Sequence, residues 1–552
     1  MCMKKTLLFV CGLLMCMSTQ AADFEKAKDA VTNMGVGWNL GNTLDANDGS
    51  KTWTTTEQHE TCWGQPVTKP ELMKMMAEAG FNTIRVPVTW YQEMDANGKV
   101  NDAWMKRVKE VVDYVLDNGM YCILNVHHDT GADSDTFKSW LKASSKNYTA
   151  NKDKYEYLWQ QIAEEFKDYD QHLLFEGYNE MLDDNSKWDE PSNKTDGYKA
   201  INDYANSFVT TVRNTGGNNK DRNLIVNTYA ASNNPNAMKN LDLPEESNHI
   251  IFQIHSYPNW ISKSNAVSRI DNLISNIKTN LLNRAPVIIG EYATFTTEVS
   301  PEIHYYDTNR ELALYAMDYL IQETKKAGVG TCYWMGLSDG TYRTLPVFHQ
   351  PDLAQTLIKA YYGSTEGYKY PTVDDFDIVY TINYADEWSE AFLYGASTPL
   401  KLSDYKGLRL ELDKDSYNET LQVKLYGKTN SGQEAYIPVT GTVTTVNFAD
   451  SQDKIGDEIS RITLQKTIKD PLTAKVMKAT LIKADDSESN CDISVFWGCT
   501  VTSEATPKPT GIRAIPMNKV ASDGAIYNLR GQRILKPQKG FYIQDGKTHI
   551  AK

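Results

Sequence analysis

Eight short apolar runs alternate with amphipathic helical stretches between about residue 33 and residue 363. A short run that stays apolar reads as a strand buried on both faces, and a sheet of such strands needs crossover helices to cover it. The runs are GVGWNLGNT (35–43), NTIRVPVTW (82–90), YCILNVHHD (121–129), HLLFEGYNE (172–180), NLIVNTYA (223–230), IIFQIHSYP (250–258), PVIIGEYA (286–293) and VGTCYWMG (329–336). Between them, KPELMKMMAEAG (69–80), DAWMKRVKEVVDYVLDNG (102–119) and NRELALYAMDYLIQETKKAG (309–328) read as helices, each closed by a glycine. Glycine there accepts the left-handed backbone that ends a helix before the next strand. Eight such units predict an α/β fold, a (β/α)8 TIM barrel over residues 22–365, since a doubly wound open sheet would typically show five or six strands.

The barrel says where chemistry belongs, because active sites of this architecture are built at the C-terminal ends of the strands. Those ends carry Trp38 and Asn39, Arg85, His127 and His128, Asn179 and Glu180, His255 and Tyr257, Glu291 and Trp334. One charged residue closing a strand is an ordinary loop entry, whereas seven of eight strands converging on one mouth is a site. Glu180 and Glu291 close the fourth and seventh runs and are expected to face each other across that mouth. Glycoside cleavage needs such a pair: one carboxylic acid protonates the leaving oxygen while the other attacks or activates water. Arg85 can donate to Glu291 and hold it ionised, and Tyr257 can add a second hydrogen bond. Whichever member of the pair serves as the acid needs a raised pKa instead.

The ordered motifs GWNLGNTLD, IRVPVTW, NVHHD, NE, IHSYP, GEY and YWMG resemble glycoside hydrolase family 5, a cellulase-type family of the retaining clan. The resemblance spans roughly residues 30–363. It implies that Glu180 is the general acid/base and Glu291 the nucleophile. It also implies that Asn179 binds the sugar 2-hydroxyl, that His127 and His255 complete the polar shell, and that Trp334 is the platform under the sugar being cleaved. Asn39, Trp38, His128 and Trp90 are further candidates for contacts to neighbouring sugars. Two departures touch the substrate rather than the chemistry. Met181 stands where many members place Pro after the acid/base glutamate, and the segment MGLSDGTYRTLPVFHQPD after the eighth run is unlike the usual cellulase loop.

A metal-dependent hydrolase using His127, His128 and Asp129 is the rival barrel enzyme, but barrel metal sites draw further His or Asp from several strand ends, and here those ends carry Arg, Asn and Tyr. A catalytically inactive sugar-binding barrel conflicts with the intact glutamate pair. No metal and no cofactor is expected.

Beyond Gly363 the helical period disappears, and residues 370–502 alternate as short strands, which predicts a β-sandwich. Its aromatics Tyr384, Trp388, Tyr394, Tyr417, Tyr436 and Trp497 are candidates for sugar stacking, with Trp497 in the core as the alternative. CDISVFWGC (491–499) reads as a single strand, which keeps Cys491 and Cys499 too far apart to bridge. Residues 1–21 have the form of a secretory signal peptide, with Lys4 and Lys5 before an apolar run too short to span a membrane. The cysteines after it, Cys62, Cys122, Cys332, Cys491 and Cys499, form no disulfide framework and no zinc motif. Residues 505–552 contain nine Lys or Arg and two acids, a net of +7, and resemble the C-terminal sorting tails of proteins secreted by Bacteroidetes. That tail makes secretion machinery an expected partner. The whole chain, with 57 basic and 71 acidic residues, is at −14, which argues against nucleic acid or anionic membrane as a general partner. The expectation is a secreted retaining endo-β-1,4-glycanase, with β-1,4-glucan as first substrate and xylan, xyloglucan and mannan as alternatives.

Overall fold

A computed structural model describes residues 24–134, 137–395, 399–428 and 432–508, together with four short strands between 526 and 551. The expected signal peptide lies outside the described residues. Among them, no helix is long and apolar enough to cross a membrane.

Eight parallel strands close into a barrel: β1 (Val36–Asn39), β2 (Thr83–Val86), β3 (Tyr121–Asn125), β4 (Leu173–Glu176), β5 (Leu224–Asn227), β6 (Ile250–Ser256), β7 (Val287–Tyr292) and β8 (Val329–Trp334). All eight runs form strands, but most are shorter than their apolar stretches. The fourth stops at Glu176, so Glu180 stands on the loop that follows. The period-2 pleat sorts the barrel interior into layers. Ile123, Leu174, Ile225, Ile251, Ile288 and Cys332 form a lower apolar layer with Ala27, Val31 and Met34, which lie in or just after the helix Ala27–Asn33. Two residues further along, four of these strands become polar with Asn125, Glu176, Asn227 and Gln253, while β7 places Gly290 and β8 Trp334 there. The barrel therefore changes from oil to hydrogen-bonding groups within one pleat.

The alternation is broken once, on β7. Ile254 pairs with Ile289 but His255 pairs with Glu291, so Gly290 is the extra residue of a bulge. A Cβ at position 290 would fall 2.4 Å from the Gln253 side chain. A side chain there would have to push that amide aside, and the bulge brings Glu291 into register with His255.

Residues after the last barrel helix, Pro351–Tyr362, build two six-stranded antiparallel sheets that share one apolar core. Leu345 and Val347, from the connection after β8, belong to that core. Barrel and sandwich thus lie in one compact unit that runs to Ala505. The single strand expected over 491–499 is instead broken. Ser494–Trp497 joins one sheet, Gly498 turns with φ of 63°, and the strand starting at Cys499 joins the other. Trp497 is consequently 51% exposed rather than in the core, whereas Tyr384 and Tyr417 are buried and offer no stacking face. All five described cysteines are free. The unit from Thr506 onward is a small antiparallel sheet of Ile526–Tyr527, Arg533–Ile534, Gly540–Gln544 and Lys547–Ala551.

Candidate active site

Arg85 on β2 is the hub of the mouth, fully buried and making five charge-assisted hydrogen bonds. Its Nη1 donates to Glu291 Oε1 (2.7 Å) and Asn39 Oδ1 (2.9 Å), and its Nη2 donates to Asn179 Oδ1 (2.7 Å). The remaining two bonds go to a residue the sequence reading passed over. Nε and Nη2 reach Glu176 Oε2 and Oε1 at 2.6 and 2.8 Å in a bidentate pair. Glu176 also accepts from Asn125 Nδ2 (3.3 Å) and Asn227 Nδ2 (3.1 Å). Burial alone would lift the Glu176 carboxyl, and Arg85 more than reverses this, holding it below its ordinary value. Arg85 is therefore shared between two carboxylates rather than dedicated to Glu291. Parity could have found Glu176, since Leu174 faces the barrel axis two residues before it.

Glu180 and Glu291 meet across His255. His255 Nδ1 lies 2.8 Å from Glu180 Oε1 and 3.4 Å from Glu291 Oε2, and the three groups offer atoms all within 4.8 Å of one another. Their surroundings differ. Glu291 receives Arg85 Nη1 and the Tyr257 hydroxyl at 2.7 Å, whereas Glu180 has only His255. Burial raises the Glu180 carboxyl to about 7, with Arg85 opposing and the Glu176 charge reinforcing the rise. Burial lifts Glu291 as well, but His255, Arg85 and Tyr257 pull the other way. With two donors on its oxygens, Glu291 is the member that ionises first. Burial depresses His255 to about 4, so its ring is neutral at pH 7.

Asn125 Nδ2 donates to His127 Nδ1 at 3.0 Å, while His127 Nε2 faces Asn179 Nδ2 at 3.4 Å and Glu291 Oε1 at 4.0 Å. Trp334 lies parallel to His127, 5.8 Å between ring centres, and is partly exposed to the mouth. His128 sits 3.7 Å from Asp45 Oδ2 and under the 41% exposed Trp63, a ring that sequence reading did not single out.

Three candidates for sugar contacts are placed elsewhere. Trp38 and Trp90 are fully buried, donating to the carbonyls of Met335 and Asn125. Neither presents a face to a ligand. Asn39 is also sealed, bridging Arg85 to the carbonyls of Gly290 and Cys332, so it positions rather than binds.

Two clusters have the composition of a cation site: Asp45 with His127 and His128, and Glu180 with His255 and Glu291. In the first, Asn125, Asn179 and Glu291 already surround both His127 nitrogens, which leaves Asp45 and His128 as free donors, too few for a closed site. The second is the carboxylate pair itself. Asp129, of the expected rival triad, accepts from Trp90 N and Trp140 Nε1 and is turned away from both histidines.

A family model described as cellulase (glycosyl hydrolase family 5) matches residues 45–339. Endoglucanase A of Clostridium longisporum is 33% identical over 333 residues, covering 58% of this chain and 61% of its own length. Endoglucanase B of Neocallimastix patriciarum is 38% identical over 286 residues, covering 48% and 58%. The chain thus spans about three fifths of the length of these curated relatives. Among solved structures, a GH5-4 broad specificity endoglucanase from an uncultured bacterium is 56% identical with a TM-score of 0.60, covering 62% of this chain and 96% of that one. A glycoside hydrolase family 5 enzyme from Prevotella bryantii B14, in complex with a xyloglucan tetradecasaccharide, is 43% identical with a TM-score of 0.57, covering 61% and 99%. With a matching model that takes in more than half of its residues and a closed parallel barrel in the matched region, this chain belongs to glycosyl hydrolase family 5.

Proposed function

We propose that the chain is a retaining endo-β-glucanase that hydrolyses β-1,4-glucan and accepts xyloglucan, with Glu180 as acid/base and Glu291 as nucleophile. The observation that carries this reading is the unequal pair itself: Glu291 receives Arg85 and Tyr257 while Glu180, its carboxyl raised by burial, receives neither, and the two bring one oxygen each to within 4.8 Å. Retaining glycosidases hold their carboxyl groups about 5–5.5 Å apart, whereas inverting ones need roughly 6.5–9.5 Å to admit a water between carboxylate and sugar.

Neutral Glu180 gives its proton to the glycosidic oxygen as Glu291 attacks the anomeric carbon and the leaving sugar departs. The ionised Glu180 then takes a proton from water, which displaces Glu291 and returns the sugar with its original configuration. Arg85 and the Tyr257 hydroxyl stabilise the Glu291 carboxylate between turnovers. Asn179 Nδ2 is placed for the 2-hydroxyl, and Trp334 offers the stacking face. The glucan and xyloglucan preference is supported by the two structural relatives, one a broad specificity endoglucanase and the other in complex with a xyloglucan tetradecasaccharide. Residues 1–21 extend the proposal to export, and the basic segment 505–552 to handover by secretion machinery. The mass of the protein recovered outside the cell tests both.

The decisive experiment follows the anomeric proton by NMR during hydrolysis of soluble β-glucan and xyloglucan, with xylan and mannan alongside. The β-anomer is expected first, and a 2-fluoro glycoside is expected to label Glu291. Initial α-anomer, or a label elsewhere, would overturn the assignment. Activity on xylan or mannan alone would move the substrate while leaving the chemistry.

A further inference from the structure

The connection after β8 does more than lock the sandwich to the barrel. Where it meets the sandwich it walls a groove of about 730 Å³, floored by sandwich residues and open to solvent. Ligand sites favour such volumes and such junctions between packed elements. One wall of the groove is a flat pair of rings, Tyr342 stacked on His349 with centres 4.6 Å apart and planes 11° from parallel. Beside it stands Asp492, which accepts from Thr341 Oγ1 at 2.7 Å. Tyr380 also lines the groove. Its side chain is 4% exposed, and its ring packs into the sandwich core.

The rim of the groove, at Gly64 and Gln65, belongs to the same chain segment as Trp63. Gln65 bridges its rim, donating to Asp339 and accepting from Gly340 N at 3.0 Å. Two residues before Gln65 is Trp63, whose ring covers His128, and His128 packs edge-on against His127 beside Trp334. A chain of ring contacts, from Trp63 to His128 to the buried His127, therefore links the segment at the groove's rim to the carboxylate pair.

We propose that this groove is a second carbohydrate-binding site, built jointly by barrel and sandwich, that holds a neutral glycan segment remote from the scissile bond. Pyranose rings present apolar faces for rings such as Tyr342 and equatorial hydroxyls for carboxylates such as Asp492. Asp339 and Asp492 on the lining make the site unfavourable for anionic polymers. The inference rests on the glucanase reading for its choice of glycan. It gives the sandwich a task, since a polymer anchored there is presented repeatedly to the cleft.

The test is calorimetric titration of the full chain with thio-linked cellotriose, which resists hydrolysis and is short enough to occupy cleft and groove separately. Two molecules per chain are expected for the native protein and one for Thr502→Trp, which fills the groove from the sandwich side. Ser494→Trp blocks it from the adjoining strand and carries the same expectation should Thr502→Trp fail to fold. A single molecule per chain for the native protein, or two retained in a folded groove variant, overturns the proposal. Because no bond is broken in this titration, its outcome is independent of the anomeric NMR experiment, which tests the glucanase reading by itself.

Discussion

Replacing Glu180 with glutamine separates what this carboxyl does for catalysis from what it costs the fold. Burial holds the folded carboxyl at about 7 against an ordinary 4.5. A carboxyl raised on folding binds its proton more tightly in the native state, so native stability falls as pH rises from 4.5 towards 7 and stays at the lower level above that. The difference is 7 − 4.5 = 2.5 pH units, and at about 1.4 kcal/mol per unit it amounts to a penalty of about 3 kcal/mol at pH 8. The side chain is 21% exposed, so solvent screens part of this, and the figure is an upper bound. Glutamine carries no charge to desolvate and can still reach His255. The variant is therefore expected to unfold at a higher temperature than the native protein at pH 8 and at nearly the same temperature at pH 4.5. In the same preparation, hydrolysis of β-glucan should fall by roughly 10²–10⁴-fold, because proton donation to the leaving oxygen is lost. Substrates with an acidic aryl leaving group should suffer much less in the first step. Scanning calorimetry at both pH values, paired with rates on polymer and aryl glycoside, decides the matter. Equal stabilisation at pH 4.5 and pH 8, or retained polymer hydrolysis, would refute the view that a buried, protonated Glu180 serves as the acid.

Three further outcomes follow from the same geometry. Glu176→Gln leaves Arg85 with an amide that cannot accept both of its hydrogen bonds, and it removes a negative charge that raises Glu180. Stability should drop by about 3–5 kcal/mol, and the alkaline limb of kcat/KM against pH should move to lower pH; a limb that stays in place would show that Glu176 is electrically irrelevant to the acid. Gly41→Val places a Cβ where only 2.9 Å separates it from the Trp334 ring. Displacing that ring should lower kcat/KM on cello-oligosaccharides about 2–10-fold, the equivalent of a lost ring contact, chiefly through KM, with kcat nearly preserved. Prolonged incubation with a chelator should leave the rate on β-glucan unchanged, and a loss restored by added divalent cation would revive the metal-dependent reading.

The barrel was legible because double-sided burial leaves an unmistakable record: uninterrupted apolar runs, separated by helices that end in glycine. The carboxylate pair was legible for the opposite reason, as charge stranded at the ends of such runs. Glu176 escaped because it sits inside its run, where a buried charge looks like an exception until its partner is known. Its meaning depends on Arg85, which lies 91 residues earlier. Trp38 and Trp90 illustrate the same limit from the other side. A tryptophan at a strand end reads identically whether it faces the mouth or packs against its neighbours, and only the inward direction of Asn39 makes Trp38 point away.

The bulge at Gly290 shows how far pleat parity can be carried and where it fails. Inward Ile288 implies inward position 290, which would turn Glu291 out of the barrel and away from His255. One extra residue on β7 reverses that outcome, and the glycine before the glutamate is what the Gln253 side chain leaves room for. The motif GEY is thus a structural statement as much as a chemical one. The glycine sets the register that brings Glu291 within reach of Arg85, Tyr257 and Glu180, and any side chain at 290 would have to push the Gln253 amide aside.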